Sequence, residues 1–217
     1  SAEGAFFDLR EGPIYLAAGS EVMPGCLVRG PFALGEKAVL KMGAKIYGPT
    51  TIGPGCKVGG EVNNCILHSH SNKAHDGFLG NSVIGSWCNL GADTNTSNLK
   101  NDYGPVRIHS EAENGLIDTG RQFCGLFMAD HAKAGINTMF NTGTVVGVSA
   151  NVFGAGFPPK FFPSFSWGGA EGLVPYRLDK AQATAQRVWS RRKKEWGAAE
   201  QALFAHVFAA TAAQRDA

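Results

Sequence analysis

No apolar run in the 217-residue chain approaches the ~18 residues a membrane-spanning helix needs, and no signal-peptide pattern opens it. A charge excess is missing too: 20 Lys+Arg against 18 Asp+Glu leave a formal net charge of +2. That is too slight to argue for nucleic acid or an anionic membrane as partner. The five cysteines, Cys26, Cys56, Cys65, Cys88 and Cys124, form no CxxC pair. An odd, widely spaced set reads as reduced thiols of a cytosolic protein, not as a disulfide framework. The one basic cluster, RRKKE at 191–195, lies in a helical pattern and reads as a solvated face. Glycine, by contrast, is abundant at 29 and points to many tight turns; it lacks the every-third-residue order of collagen. The opening SAEGAFFDL reads as a cut or processed end.

What the chain has is a period of six. Leu16, Val22, Val28, Leu34, Leu40, Ile46, Ile52 and Val58 are all branched aliphatics. Two residues before most of them stands something small (Ser20, Cys26, Ala38, Ala44, Thr50, Cys56), Phe32 being the exception. A helix has no such period, and a β-sandwich needs longer strands and irregular turn spacing. Short strands joined by turns, three to a coil, satisfy it, with each coil stacking its apolar side chains on the previous one.

The register then breaks, placing Asn64 and His70 at the next two inward positions. After a slip it resumes as Phe78, Ile84, Leu90 and Thr96, with Ser82, Cys88 and Thr94 before the last three. A second break spans roughly 99–127, too polar and turn-rich for an uninterrupted coil; a loop is expected near 100–106 or 110–115. A third series runs Met128, Ala134, Phe140, Val146 and Val152. From Gly154 the chain is proline-punctuated and aromatic, which suggests an extended segment packed on the solenoid or a lid. Alanine-rich helical spacing follows from Asp179, with Gly197 placed to divide it into two helices. The expected organisation is a solenoid over 11–156, an extended segment over 157–178 and a helical extension over 179–213.

Three histidines and a lysine stand in HSHSNKAHDG, residues 68–77. The residues alone leave His75 open between a general base and a turn residue satisfying backbone groups. His70 reads as a buried, hydrogen-bonded imidazole near Asn64, or as a group that orients His75; His68 reads as packing or surface. A zinc site on the three is the rival, as in γ-type carbonic anhydrases, but those draw ligands from separated coils and a neighbouring chain.

KAH followed by a short turn, then GNSVIG, NLGADTNTSNL and the later GINTMFNTGTVVG, resemble the hexapeptide-repeat left-handed β-helix acyltransferases. The similarity covers about residues 20–156 and is narrower still to the acetyltransferase half of bifunctional enzymes that N-acetylate an amino-sugar 1-phosphate and then attach a nucleotide. GPFALGE, GGEVNN and FPSFSWGG are most similar to a bacterial group of sugar-nucleotidyltransferase-like proteins. The resemblance implies an all-β solenoid, a left-handed parallel β-helix of about eight coils with a C-terminal α-helical extension. It also implies a cytoplasmic homotrimer with sites between subunits, working in nucleotide-sugar biosynthesis. Acetyl-CoA would be the acyl-donor cosubstrate and a sugar phosphate the acceptor. No nucleotidyltransferase domain is expected within the chain; one would lie upstream of Ser1.

By the same resemblance His75 is the general base, Asn89 orients the sugar, and Asn98 matches the asparagine of the T-x-x-N segment. Glu61 and Asn63 stand where the amino sugar and its phosphate are held. Two departures occur: Asn63 replaces a usual lysine, and Phe78 a common tyrosine. Acyl transfer to an amine needs a base, an oxyanion donor and a groove for the cofactor; no metal is required. Lys73 is a candidate phosphate contact and Asp76 a candidate for the sugar amine. Lys100, Arg107 and Lys133 are candidates for the anionic groups of coenzyme A, while Ala132 and Ala150 are small enough to border its groove. Lys100 and Arg107 read equally well as solvated residues, and Asp76 as part of a turn. The reading from another class is a non-catalytic module that binds a sugar nucleotide or scaffolds an enzyme, which Asn63 and Phe78 keep open.

Overall fold

In the computed structural model, which describes residues 1–215, the period of six closes on itself as an all-β solenoid. Successive strands fall on three faces. The first sheet runs from Phe6–Asp8 through Leu27–Arg29, Lys45–Tyr47 and Glu61–Asn63 to Phe78–Gly80, and continues as Asn95–Thr96 paired with Met139–Phe140. The second has 8 strands, from Ile14–Leu16 to Phe161–Phe162, and the third has 9, from Glu21–Val22 to Gly172–Pro175. Pairing is parallel between neighbouring coils, Val28 beside Ile46 and Leu34 beside Ile52. Val22, Val28, Leu34, Leu40, Ile46, Ile52 and Val58 are all buried, as are the small residues two before them. Each buried branched aliphatic contributes about 1.5–3 kcal/mol, and their stacking gives one continuous core. Leu16, on the first coil, has no coil beneath it and is 38% exposed.

The expected inward placement of Asn64, His70 and Phe78 is corrected. The corners at 59–60 and 64–65 are shorter than their counterparts, so a fixed step of six overshoots. The register puts Ile46 beside Val62, Ile52 beside Leu67, Val58 beside Lys73 and Val62 beside Leu79; these four are the inward residues, all buried. Asn64 (φ 54) and His70 (φ 62) instead take the left-handed corner conformation. Ile84, Leu90 and Thr96, and the third series from Met128 to Val152, are buried as read.

The second break is a loop leaving the corner between the first and second sheets. Its root is pinned by a bridge between Leu99 and Phe123, and it carries a hairpin of Arg107–Ser110 with Gly115–Asp118. The ladder ignores it: Val83 pairs directly with Phe127 and Asn89 with Lys133. His109 on the hairpin stacks on Phe161 at 3.6 Å, seating the loop against the last coil.

Strand pairing continues past residue 156. Phe161–Phe162 extends the second sheet, and Ser166–Gly169 extends the third and turns back antiparallel onto Gly172–Pro175. The reversal covers an edge that would otherwise present unpaired amides. Helices α1 (Leu178–Ser190), α2 (Ala198–Ala210) and α3 (Ala212–Arg215) follow. Gly197 caps α2, its N–H donating to Glu200 Oε2 at 3.0 Å. None of the described helices is long and apolar enough to cross a membrane.

The helices dock on this same chain, along the corner between the second and third sheets. There His70, Trp87, His131 and Phe165 all have positive φ, between 56 and 63, a region bulky residues normally avoid. The strain is offset by what their outward side chains hold. Trp87 stacks between His70 (4.2 Å) and Trp189 (4.9 Å), and His131 meets Trp196 and Phe204 edge-on. Phe165 packs on Phe204 and Phe208. All five cysteines are free and buried.

Candidate functional site

Strands of the third sheet run into the corner that begins the first sheet. On the fourth coil that corner is Ala74–Gly77, longer than the Gly59–Gly60 corner beneath it, so it projects. His75 and Asp76 are exposed there and line an open groove of about 610 Å³ with Lys41, Gly60, Ala92 and Asp93.

The projecting corner is held from inside. Lys73 occupies an inward position, only 1% exposed. Its ammonium donates to the carbonyls of Gly59 (3.2 Å), Asp76 (3.2 Å) and His75. Burial pushes it down to about 8, with Asp76 and Asp93 opposing the shift. This corrects the phosphate-contact reading: the ammonium is spent on backbone carbonyls, so Lys73 positions the His75 corner. Lys73→Met, of similar length, leaves the Gly59 and His75 carbonyls without a donor, while the Asp76 carbonyl keeps the Asp93 N–H at 3.1 Å. It is expected to cost about 3 kcal/mol in urea unfolding, and a loss under 1 kcal/mol would contradict the role.

Glu61 and Asn63 face outward on the first sheet, beside Phe78 and Gly80. Tyr47 donates to the Glu61 carboxylate; that bond, with burial, pushes the phenol up to about 12. Asn95 Oδ1 accepts from the Phe78 amide at 2.8 Å, and Asn98 Nδ2 donates to Asn81 Oδ1 at 2.7 Å at the sheet's far edge. Lys100 pairs with Asp102 at 3.0 Å, and Arg107 Nη2 donates to the Leu116 carbonyl at 2.8 Å. Both belong to the loop, at a different corner from His75. The structure therefore joins His75 to Asp76, sets Glu61 and Asn63 on the adjoining face, and places Asn98, Lys100 and Arg107 beyond that face.

Ala132 and Ala150 are 0% exposed. They stand at the small inward positions of their coils and form core wall, which corrects their reading as borders of a cofactor groove. Asn89 and Lys133 lie on the third sheet, and Lys133 Nζ donates to the His131 carbonyl at 2.8 Å. Burial lowers the pKa of Lys133. His68 and His70 belong to the corner between the second and third sheets and His75 to the next one, so the three imidazoles do not converge. Among the described residues no group of three or more His, Cys, Asp or Glu is arranged to hold a metal.

No family model matches the chain. It is 28% identical over 172 residues to the bifunctional protein GlmU of Methanococcus aeolicus, covering 78% of this chain and 37% of that protein. It is 30% identical over 93 residues to a bifunctional sugar-1-phosphate nucleotidylyltransferase/acetyltransferase of Sulfurisphaera tokodaii, covering 43% of this chain and 23% of that protein. Among solved structures, the polySia specific acetyltransferase NeuO superposes with a TM-score of 0.53 at 12% identity, covering 88% of this chain and 98% of that one. The chain is a hexapeptide-repeat-like β-solenoid related to the GlmU-type acetyltransferases. It spans little more than a third of the length of the first of these bifunctional relatives.

On this solenoid, sequence reasoning missed Tyr47, whose bond to Glu61 joins strands on successive coils. It also missed Arg192. The RRKKE cluster reads as a solvated face, yet Arg192 is half-buried and its Nη2 donates to Asn72 Oδ1 at 3.2 Å. Nothing local signals this, because the contact crosses from the helical extension to the fourth coil.

Proposed function

We propose that this solenoid transfers an acetyl group from acetyl-CoA to the amine of an amino-sugar 1-phosphate, with His75 as general base. The observation that carries the reading is an exposed imidazole at the mouth of an open groove, on a corner whose backbone is fixed from within by Lys73. The substrate nitrogen attacks the thioester carbonyl carbon and its proton passes to the imidazole. The C–S bond then breaks, and the departing thiolate takes that proton from the imidazolium and leaves as the thiol. A base already in place converts orientation into rate, because little is left to be ordered at the transition state.

Glu61, held by Tyr47, suits recognition of a sugar hydroxyl or ammonium, with Asn63, Asp76 and Asn89 as further polar contacts. Asn98, Lys100 and Arg107 leave the coil at a different corner. That arrangement suits a homotrimer in which one copy's loop closes a neighbour's groove over the coenzyme. The sugar-1-phosphate nucleotidylyltransferase/acetyltransferase activity of the Sulfurisphaera tokodaii relative supports the acceptor class, and the five free thiols suit the cytoplasm.

Thiol release from acetyl-CoA, followed with glucosamine 1-phosphate and galactosamine 1-phosphate as acceptors, tests the reading. Turnover that requires the free amine is expected. Tight acceptor binding without thiol release would favour a non-catalytic binding module instead.

A further inference from the structure

The outward side chains of the third sheet form a row beside the His75 corner. Lys57, Asn72, Asn89 and Lys133 are in register on successive strands, cations at both ends with two amides between. The end of α1 roofs this row with Arg191 and Arg192, enclosing a cleft of about 450 Å³. Among the described residues no carboxylate lines the cleft, and none of its four cations takes part in an ion pair. Cations following a helix C-terminus are ordinarily explained by the helix dipole. That account covers Arg191 and Arg192 but not Lys57 or Lys133, which belong to separate coils. Four like charges gathered around one concavity repel each other unless an anion enters.

We propose that this cleft binds a phosphate or diphosphate group of a substrate whose reacting end lies at His75. Guanidinium groups fork onto phosphate oxygens, lysines supply point charge, and asparagine amides donate to the remaining oxygens. His75 follows Asn72 by three residues, on the corner into which that strand runs, a reach of roughly 10 Å at most. A phosphate held in the cleft therefore tethers the rest of an extended molecule within reach of the groove. The anion site stands on the cleft itself, whereas its link to His75 rests on the acyl-transfer reading. The phosphate belongs either to the acyl donor or to the acceptor.

Inorganic pyrophosphate titrated calorimetrically into the full chain tests the site directly. Lys57→Glu and Arg192→Gln are each expected to weaken its binding about tenfold or more; Lys45→Glu, on the first sheet, should leave it unchanged. Lys57 is exposed, so its variant keeps the proposal testable even if Arg192→Gln loosens the helices. Unchanged affinity in both variants, or equal weakening by Lys45→Glu, overturns the site. In turnover, Lys57→Glu raises KM for acetyl-CoA if the donor's phosphates bind there, and KM for the sugar phosphate if the acceptor's does. Pyrophosphate binding lost in the variants, in a chain that releases no thiol, would uphold the cleft and sink the acyl-transfer reading. Normal turnover with both KM values and the pyrophosphate affinity unchanged would do the reverse.

Discussion

Replacing His75 by alanine is expected to lower kcat about 10²- to 10⁴-fold, the usual contribution of a positioned general base, while leaving the thermal midpoint nearly unchanged. The separation of the two effects follows from the geometry. His75 is exposed and donates none of the bonds that fix its own corner; those come from Lys73. Removing the imidazole therefore deletes chemistry without deleting packing. KM for acetyl-CoA should move little, since the base acts on the acceptor's proton. Thiol release by the alanine variant at the wild-type rate would end the general-base assignment, and a drop of several degrees in its midpoint would show the corner to be structural. Lys73→Met provides the contrast, because it should lose stability first and activity as a consequence.

Acid should undock the C-terminal helices. His131 is 6% exposed, wedged between Trp87, Trp196 and Phe204, and its buried Nδ1 has no hydrogen-bond partner among the described residues. Burial, with Lys133 nearby, pushes its pKa from 6.5 down to about 3. His70, stacked on Trp87, is pushed the same way by burial and by Lys194 and Arg192. Between those two values the unfolded chain takes up a proton that the folded His131 refuses. The stability this confers is present above pH 6.5 and is lost as pH falls toward 3, by about 1.4 kcal/mol per pH unit for one histidine. Near-UV circular dichroism of Trp189 and Trp196 should change over that window before the β signal does. His131→Asn, which tolerates the left-handed corner, should flatten the slope by about one proton. A slope identical to wild type would show that His131 does not control the docking.

The core was legible because its chemistry repeats: a branched aliphatic every sixth position from Leu16 to Val58 leaves few other folds. It stopped being legible where a corner changed length. Nothing in the composition of GGEVNN shows that two corners shorten there, so fixed counting turned Asn64 and His70 inward and hid Lys73 in a role it does not have. His75 was singled out through its motif, and the motif has no bearing on what holds the corner. Of the cleft, Lys133 and Asn89 were named from the sequence, but Arg192 and Asn72 were missed for a different reason: they are distant in sequence, and only docking of the helices makes them neighbours. The docking corner itself reads poorly because His70, Trp87, His131 and Phe165 sit where glycine or asparagine is the rule.

The loop rooted at Leu99 and Phe123 has an evolutionary consequence. Val83 meets Phe127 as though nothing lay between them, so the ladder depends on the loop's two ends and not on its contents. Doubling such an excursion costs only about 0.6 kcal/mol in closure entropy, small beside the burial of a single stacked aliphatic. The hairpin can therefore be lengthened, recharged or exchanged between lineages like a cassette, letting selectivity wander while the interior stays conserved.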